Sequence, residues 1–209
     1  MKLDLFIVGA GGFGREFLTQ LLDCNEIASL YNVKGFLDED LKLSGHKLLG
    51  YPIFPLSSFI KINQKTAFAI CVVNPLDKRH LYQKLDSPNS TFPNFIFGKS
   101  YEEIQGEGII VCVDSIVNTG VALGDFSILC EKCMVGHNSS IGNFGTLYSF
   151  AFIAGHVNCG ENYQGGANSV VLQNLNVCNN VFVGAGAVVT KNIEKEGKYV
   201  GVPAHIMQN

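Results

Sequence analysis

The sequence predicts an α/β domain with a parallel sheet, followed by a parallel β-helix of hexapeptide repeats. Three observations carry this. Every sixth residue from Val111 to Val189 is aliphatic, with only Cys159 and Gly165 breaking the rule. The dipeptides Leu123-Gly124, Ile141-Gly142 and Cys159-Gly160 recur at 18 residues, which is three hexads. Ahead of the repeats, the apolar run Leu5-Phe6-Ile7-Val8 enters Gly9-Ala10-Gly11-Gly12-Phe13-Gly14. An α-helix has a period of 3.6 and a lone strand a period of 2, so neither explains a period of six. A coil of three six-residue sides does.

The repeats define their own geometry. A large aliphatic at each sixth position fills a corner of a triangular prism. Four residues later the side chain is usually small, as at Ser115, Ser127, Cys133, Ser139, Gly145, Ala151, Ser169 and Ala187, which lets the chain turn. Tyr163 and Leu175 are bulky at that place. Tyr163 and the stretch Tyr148-Ser149-Phe150-Ala151-Phe152 are expected to pack between subunits or line an acceptor site. Glu194 to Lys198 is expected to be a loop, and Tyr199 to Ala204 to cap the open end of the helix.

In the first third, Leu5–Val8 reads as a buried strand. The glycine loop then opens a helix with Phe13, Phe17, Leu18, Leu21 and Leu22 on one face. Val33 to Leu37 is a second strand, ending at Asp38-Glu39, and Ala67 to Val73 a third. Asn74-Pro75 caps a helix through Leu76, Leu81 and Leu85, with proline at its first position. Phe92 to Phe97 reads as a fourth strand, so the domains are expected to span residues 1–98 and 99–209. The segment satisfies G-x-G-x-x-G, whose glycines allow a tight turn and whose helix N-terminus offers free N–H groups to an anion. Asp38 and Glu39 follow the second strand, where a carboxylate meets a ribose or base. About 105 residues precede the repeats, too few for a full six-stranded dinucleotide domain. One nucleotide half fits, and the nucleotide of a nucleotide-linked sugar is the favoured ligand.

Bulk properties narrow the class. The 209 residues are 47% hydrophobic and 16% charged, with a net charge of −3 and 23 glycines. That composition suits a β-rich globular protein with some surface buried between subunits. There is no basic patch for nucleic acid. No apolar stretch approaches the ~20 residues of a membrane span, and Leu5–Val8 is too short for a signal peptide, so a cytoplasmic protein without membrane insertion is expected. Seven cysteines without a secretion signal argue against a disulfide framework. Cys130-Glu131-Lys132-Cys133 has no second such pair to complete a zinc site, and Cys133 falls in a small-residue slot. No metal is expected.

Two histidines lie inside the coils. Stacking by one coil places Thr119, His137 and Gly155 in one column and Asn138 and His156 in the next, about 4.8 Å apart along each. His137 thus sits over a glycine, with space and a backbone N–H at the surface. By position alone it is as easily a surface histidine as a functional one.

The glycine segment, Gly35-Phe36-Leu37-Asp38-Glu39, the coils with Gly136-His137-Asn138-Ser139-Ser140-Ile141-Gly142, and the ending Gly201-Val202-Pro203-Ala204 occur in one order. Together they resemble the bacterial sugar O-/N-acyltransferases related to the sialic-acid O-acetyltransferases, over nearly the whole chain. The resemblance implies a left-handed β-helix, a homotrimer, acetyl-CoA as acyl donor and an active site between subunits. It assigns His137 as catalytic base with Asn138 beside it. It places Gly155, Ala167 and Ala185 along the coenzyme, with the Gly155 N–H as oxyanion donor, and Gly12, Phe13, Asp38 and Glu39 near the acceptor's nucleotide. The family usually has an acidic neighbour at this histidine and a second histidine nine residues on; this chain has Gly136, Asn138 and Thr146. The acceptor implied first is the amine of a nucleotide-linked 4-amino-4,6-dideoxy sugar. A sialic-acid-type hydroxyl, a free sugar or amino acid, and a nucleotide-sugar-binding homologue of weak activity stay open. A metal-dependent β-helix enzyme of the carbonic-anhydrase type needs three metal-facing histidines, and the coils hold only His137 and His156.

Overall fold

A computed structural model describes residues 2–59 and 64–207. The chain forms two compact units, Met1–Pro93 and Asn94–Asn209.

The first unit is a mostly parallel sheet of six strands with helices between them. In chain order these are β1 (Leu3–Val8), α1 (Gly12–Asp23), α2 (Asn25–Ala28), β2 (Tyr31–Asp38), β3 (Lys47–Leu48), β4 (Tyr51–Pro55), β5 (Thr66–Ile70), α3 (Pro75–Leu85) and β6 (Ser90–Thr91). The spatial order is β3-β4-β2-β1-β5-β6, with only β3 antiparallel to its neighbour. The central strand β1 lies between β2 and β5, and its Leu5, Ile7 and Val8 are fully buried, as a two-sided parallel strand requires. The α1 face is Phe17, Leu18 and Leu21, at zero exposure. Leu22, expected on that face, is 46% exposed, because it falls past the edge of the arc set by residues 14, 17, 18 and 21. Asn74 caps α3 by accepting from the Leu76 and Asp77 N–H groups, with Pro75 in the first turn.

The expected strand Phe92 to Phe97 forms only in part: within it Phe95–Ile96 pairs with Ile110–Val111 of the second unit, while Ser90–Thr91, which precedes it, pairs with β5 in the first. Pro93, which has no N–H for a ladder, stands between the two.

The second unit is a parallel β-helix. Short strands recurring at the hexad spacing build three sheets. Each strand pairs with its equivalent one coil further on, as in Val117↔Val135, Val135↔Ile153 and Ile153↔Val171. All the sixth-residue positions from Val111 to Val189 are buried. Most of the slots four residues later are buried as well, and serines there bond across coils. Ser139 Oγ donates to the Ala154 carbonyl at 2.8 Å and accepts the Val157 N–H at 3.0 Å. A small residue there therefore does more than permit a turn: its hydroxyl satisfies backbone groups inside the prism.

A second column was not read from the sequence. Every sixth residue from Asp114 to Gly186 has φ between 56° and 69°. Asn, Asp and Gly tolerate this left-handed region, and they fill most of the column. Phe126, Lys132, Phe144, Phe150 and His156 are the exceptions.

The two breaks in the aliphatic column are treated differently, and one is compensated directly. Gly165 leaves interior space that neighbouring side chains share: a Cβ there would lie 2.9 Å from Leu147 Cδ2 and 3.3 Å from both Ser169 Oγ and Tyr163 Cε1. Tyr163 is fully buried inside its own coil, which corrects the expectation of a subunit or acceptor contact. Burial, and secondarily Cys159, pushes its phenol well above the usual range. The end of the coil also differs from expectation. Gly197–Val200 is a strand pairing with Val181–Val183, and His205–Ile206 folds back antiparallel on it, closing that edge. No described helix is long and apolar enough to cross a membrane.

Tyr163→Ala should cost about 3–5 kcal/mol in a denaturant titration, because removing a fully buried ring leaves a cavity inside the prism. Tyr163→Phe should be neutral or slightly stabilising, since the buried hydroxyl has no hydrogen-bond partner.

Candidate functional site

The first sheet is that of Leu129 and Leu147, the second that of Val135 and Ile153, and the third that of Ile141 and Cys159. The column geometry brings His137, Asn138, Gly155 and His156 together at the corner between the second and third sheets. Val135 ends a strand and Ser140 begins the next, so residues 136–139 form the turn. His137 and Asn138 are exposed. Ring atom Nδ1 of His137 lies 3.0 Å from Asn138 Oδ1. An Nδ1–H would donate to that amide oxygen, the arrangement that leaves Nε2 on the side of Gly155. The ring lies over Gly155, where a Cβ would stand 2.8 Å from Nε2 and 2.9 Å from Cε1. Only glycine leaves the ring in this place. Asn138 is seated the same way over Gly120, whose Cβ would stand 2.8 Å from Nδ2. His156 completes the cluster, its ring 5.0 Å from that of His137 and nearly perpendicular at 88°.

A backbone donor is available beside the ring. At the corner after the third sheet, side chains take up the N–H two residues past the aliphatic, as Asn143 does for Asp125 and Asn179 for Glu161. Among the described residues, the equivalent N–H of Gly155 has no acceptor. The corner therefore sets an imidazole ring and an amide N–H around one small space.

Ala167 and Ala185 stack on each other, the Gly186 N–H donating to the Ala167 carbonyl at 2.8 Å. They do not join His137 within the chain. They follow Gly165 and Val183 of the first sheet, and so lie at the corner between the first and second sheets. The second sheet thus runs between the two corners. Its outward side chains, Ile116, Met134, Phe152, Val170 and Val188, make an apolar stripe that is partly exposed.

In the first unit the glycines divide by task. A Cβ on Gly14 would lie 2.0 Å from the Gly9 carbonyl oxygen, and one on Gly9 2.9 Å from Val72 Cγ2, so these two serve close packing. Gly11 and Gly12 face open space at the start of α1, and Gly11 gives α1 no side-chain cap. Phe13 is half-buried. The Asp38 carboxylate accepts the Ala10 N–H at 2.7 Å and the Asp40 N–H at 2.9 Å, tying the end of β2 to the glycine loop. Glu39 receives Lys84 Nζ, and His80 Nε2 lies 3.7 Å away. Asp38 and Glu39 both line two adjoining clefts of about 230 and 170 Å³. Leu41, Leu56, Ser57 and Lys84 line the larger, and Gly9, Val72 and Asp77 the smaller. The sequence reading missed these. The signal for Lys84 was its i+4 spacing from His80 on α3, which puts both on one face.

The thiols are elsewhere engaged. Burial pushes the Cys133 thiol up to about 12, against small opposing effects from backbone hydrogen bonds. Cys71 and Cys159 are pushed up by burial too. Among the described residues no three His, Cys, Asp or Glu side chains converge as a metal site.

Together, the fold defines an α/β domain joined to a hexapeptide-repeat β-helix. Residues 4–85 match the family model described as the PglD N-terminal domain. The acetyltransferase domain of PglB from Neisseria gonorrhoeae, in complex with acetyl coenzyme A, superposes with a TM-score of 0.86 at 21% identity, covering 99% of this chain and 100% of that one. A histidine-substituted mutant of perosamine N-acetyltransferase from Caulobacter crescentus, in complex with CoA and GDP-perosamine, gives 0.86 at 22% identity, covering 99% and 97%. UDP-3-O-acylglucosamine N-acyltransferase from Bordetella pertussis is 35% identical over 89 residues, 43% of this chain and 23% of that protein. The chain thus spans under a quarter of the length of that curated relative. The first unit matches the PglD N-terminal domain over most of its length, and the matches support the resemblance to the bacterial sugar acyltransferases.

The cysteines supply a check on this description. Under native conditions at about pH 8, Cys24 and Cys178, which are partly exposed, should react with a disulfide reagent, and the five buried thiols should react only after unfolding.

Proposed function

We propose that this protein is an acetyl-CoA-dependent N-acetyltransferase acting on the amino group of a nucleotide-linked 4-amino-4,6-dideoxy sugar. The observation that carries the reading is the His137 corner: a ring whose Nδ1 meets Asn138 and whose Nε2 faces Gly155, beside a Gly155 N–H without an acceptor among the described residues. The solved proteins of like fold, one holding acetyl coenzyme A and one holding CoA with GDP-perosamine, support it.

In the proposed reaction the sugar amine attacks the thioester carbonyl. A C–N bond forms as the C–S bond breaks. Nε2 of His137 takes the proton from the nitrogen and returns it to the leaving thiolate, so no acyl-enzyme forms. The Gly155 N–H donates to the oxyanion, a charge that exists only as the carbonyl turns tetrahedral. Asn138 holds the ring in the working tautomer, although a neutral amide stabilises imidazolium less than a carboxylate would. The nucleotide sits against Gly12 and Phe13 at the start of α1, where free N–H groups favour phosphate, and beside Asp38 and Glu39. Acetyl-CoA is a cytoplasmic metabolite, and this reading places the protein there.

We infer a homotrimer as well, a reading that the apolar stripe on the second sheet supports. Three copies that bury this sheet about a three-fold axis bring the His137 corner of one against the Ala167 and Ala185 corner of the next, because these corners bound the same sheet. The coenzyme then runs between subunits, with residues that are separate within one chain reunited across the interface.

Incubation with acetyl-CoA and a panel of nucleotide-linked amino sugars should release free thiol with one of them. His137→Ala should lower kcat about 10²–10⁴-fold, the usual worth of a general base. Gly155→Ala should approach the same loss, because its Cβ occupies the place of the ring. Thiol release unaffected by His137→Ala would contradict the assignment of the base, and release with hydroxyl acceptors alone would contradict the N-acetyl reading.

A further inference from the structure

We propose that His156 is the positioning residue for His137, holding its ring through edge-to-face contact where related sites would use an acidic neighbour. The inference rests on His137 being the base, and it concerns a residue with no role in the reaction above.

The left-handed column points to it. Five residues of that column are neither Asn, Asp nor Gly, and each makes a compensating contact. Phe126 and Phe144, one coil apart, stack at 5.2 Å with an interplanar angle of 11°. Lys132 Nζ lies 5.4 Å from the centre of the Phe150 ring, again one coil on. The fifth is His156, at φ 57°, and its neighbour down the column is Asn138. Its ring meets His137 instead, one column over, at 5.0 Å and 88°. The repeat sets the two residues side by side, the His156 N–H donating to the His137 carbonyl at 3.0 Å as other residues of this column do to the coil before them. A residue that costs conformational energy in this region is retained where its side chain offsets that cost.

The geometry makes three sides of His137 fixed. Asn138 holds Nδ1, Gly155 lies beneath, and His156 closes a flank. Without that flank, the exposed ring turns about χ2 and exchanges Nδ1 for Nε2 at the Gly155 side, which interrupts both the Asn138 bond and the approach of the acceptor. A flat ring is what the contact requires; the nitrogens of His156 are not needed.

The test compares His156→Asn with His156→Phe. Asn is the commonest residue of this column, so the first variant keeps the fold, which a thermal melt verifies. In protein labelled with ¹⁵N-histidine, long-range ¹⁵N–¹H correlations report the tautomer of His137 whether or not any substrate is turned over. We expect one dominant Nδ1–H tautomer in the parent and in His156→Phe, and a mixture in His156→Asn. In turnover, His156→Asn should lose about tenfold in kcat with KM for acetyl-CoA unchanged, and His156→Phe should recover most of it. An unchanged tautomer in His156→Asn overturns the proposal, as does a Phe variant that behaves like Asn. A parent protein that transfers no acetyl group overturns the acetyltransferase reading and leaves the tautomer result standing by itself.

Discussion

The left-handed turn in every hexad is the constraint on which the rest of the β-helix depends. It swings the chain from one face of the prism to the next and sets each residue above its equivalent in the previous coil. Aliphatic residues are thereby stacked inward, small residues close the corners, and the residues between are presented outward in columns. His137 owes its place to this arithmetic: one column puts it over Gly155, and the next puts His156 beside it. The backbone contributes as well: two residues past the aliphatic, the Asp125 and Glu161 amides bond to side chains, and the Gly155 amide has no acceptor among the described residues.

That regularity also explains what the sequence disclosed. A period of six survives because each corner must be filled, so the coil, its stacking in threes of hexads and the seat of His137 over a glycine were all legible in advance. Tyr163 was misread because a bulky residue in a small slot looks like surface. Its partner in the argument is Gly165, and only the interior of the prism shows that a missing side chain and an oversized one occupy the same space. The left-handed column was visible as repeated Asn and Gly, but Phe126, Phe144 and Phe150 obscured it, because the contacts that compensate their strain reach across a full coil. The resemblance set Ala167 and Ala185 along the coenzyme, and within one chain they lie one corner away from His137. A single chain cannot show that two corners of one sheet meet in an assembly.

In the α/β unit the local signals were strong and the exceptions were tertiary. The glycine loop, the Asn74 cap and three strands follow from short-range chemistry. Phe92 to Phe97 looked continuous by composition, yet only Phe95–Ile96 of it is a strand, and that strand pairs in the second unit. The four glycines of the loop look alike in sequence, but Gly9 and Gly14 serve packing while Gly11 and Gly12 stay open. Asp38 similarly serves the loop first, through the Ala10 N–H, and lines the neighbouring cleft with the same carboxylate.

The central claim is that one coil corner supplies both the base and the oxyanion donor for acyl transfer to a nucleotide-linked amine. A crystal structure with a bisubstrate analogue, in which a nucleotide-linked amino sugar is joined to coenzyme A through a tetrahedral centre, tests it most directly. The account predicts the analogue's nitrogen within hydrogen-bond reach of His137 Nε2 and its oxyanion mimic on the Gly155 N–H. A tetrahedral centre bound away from that corner, or a nitrogen facing some other residue, would contradict it.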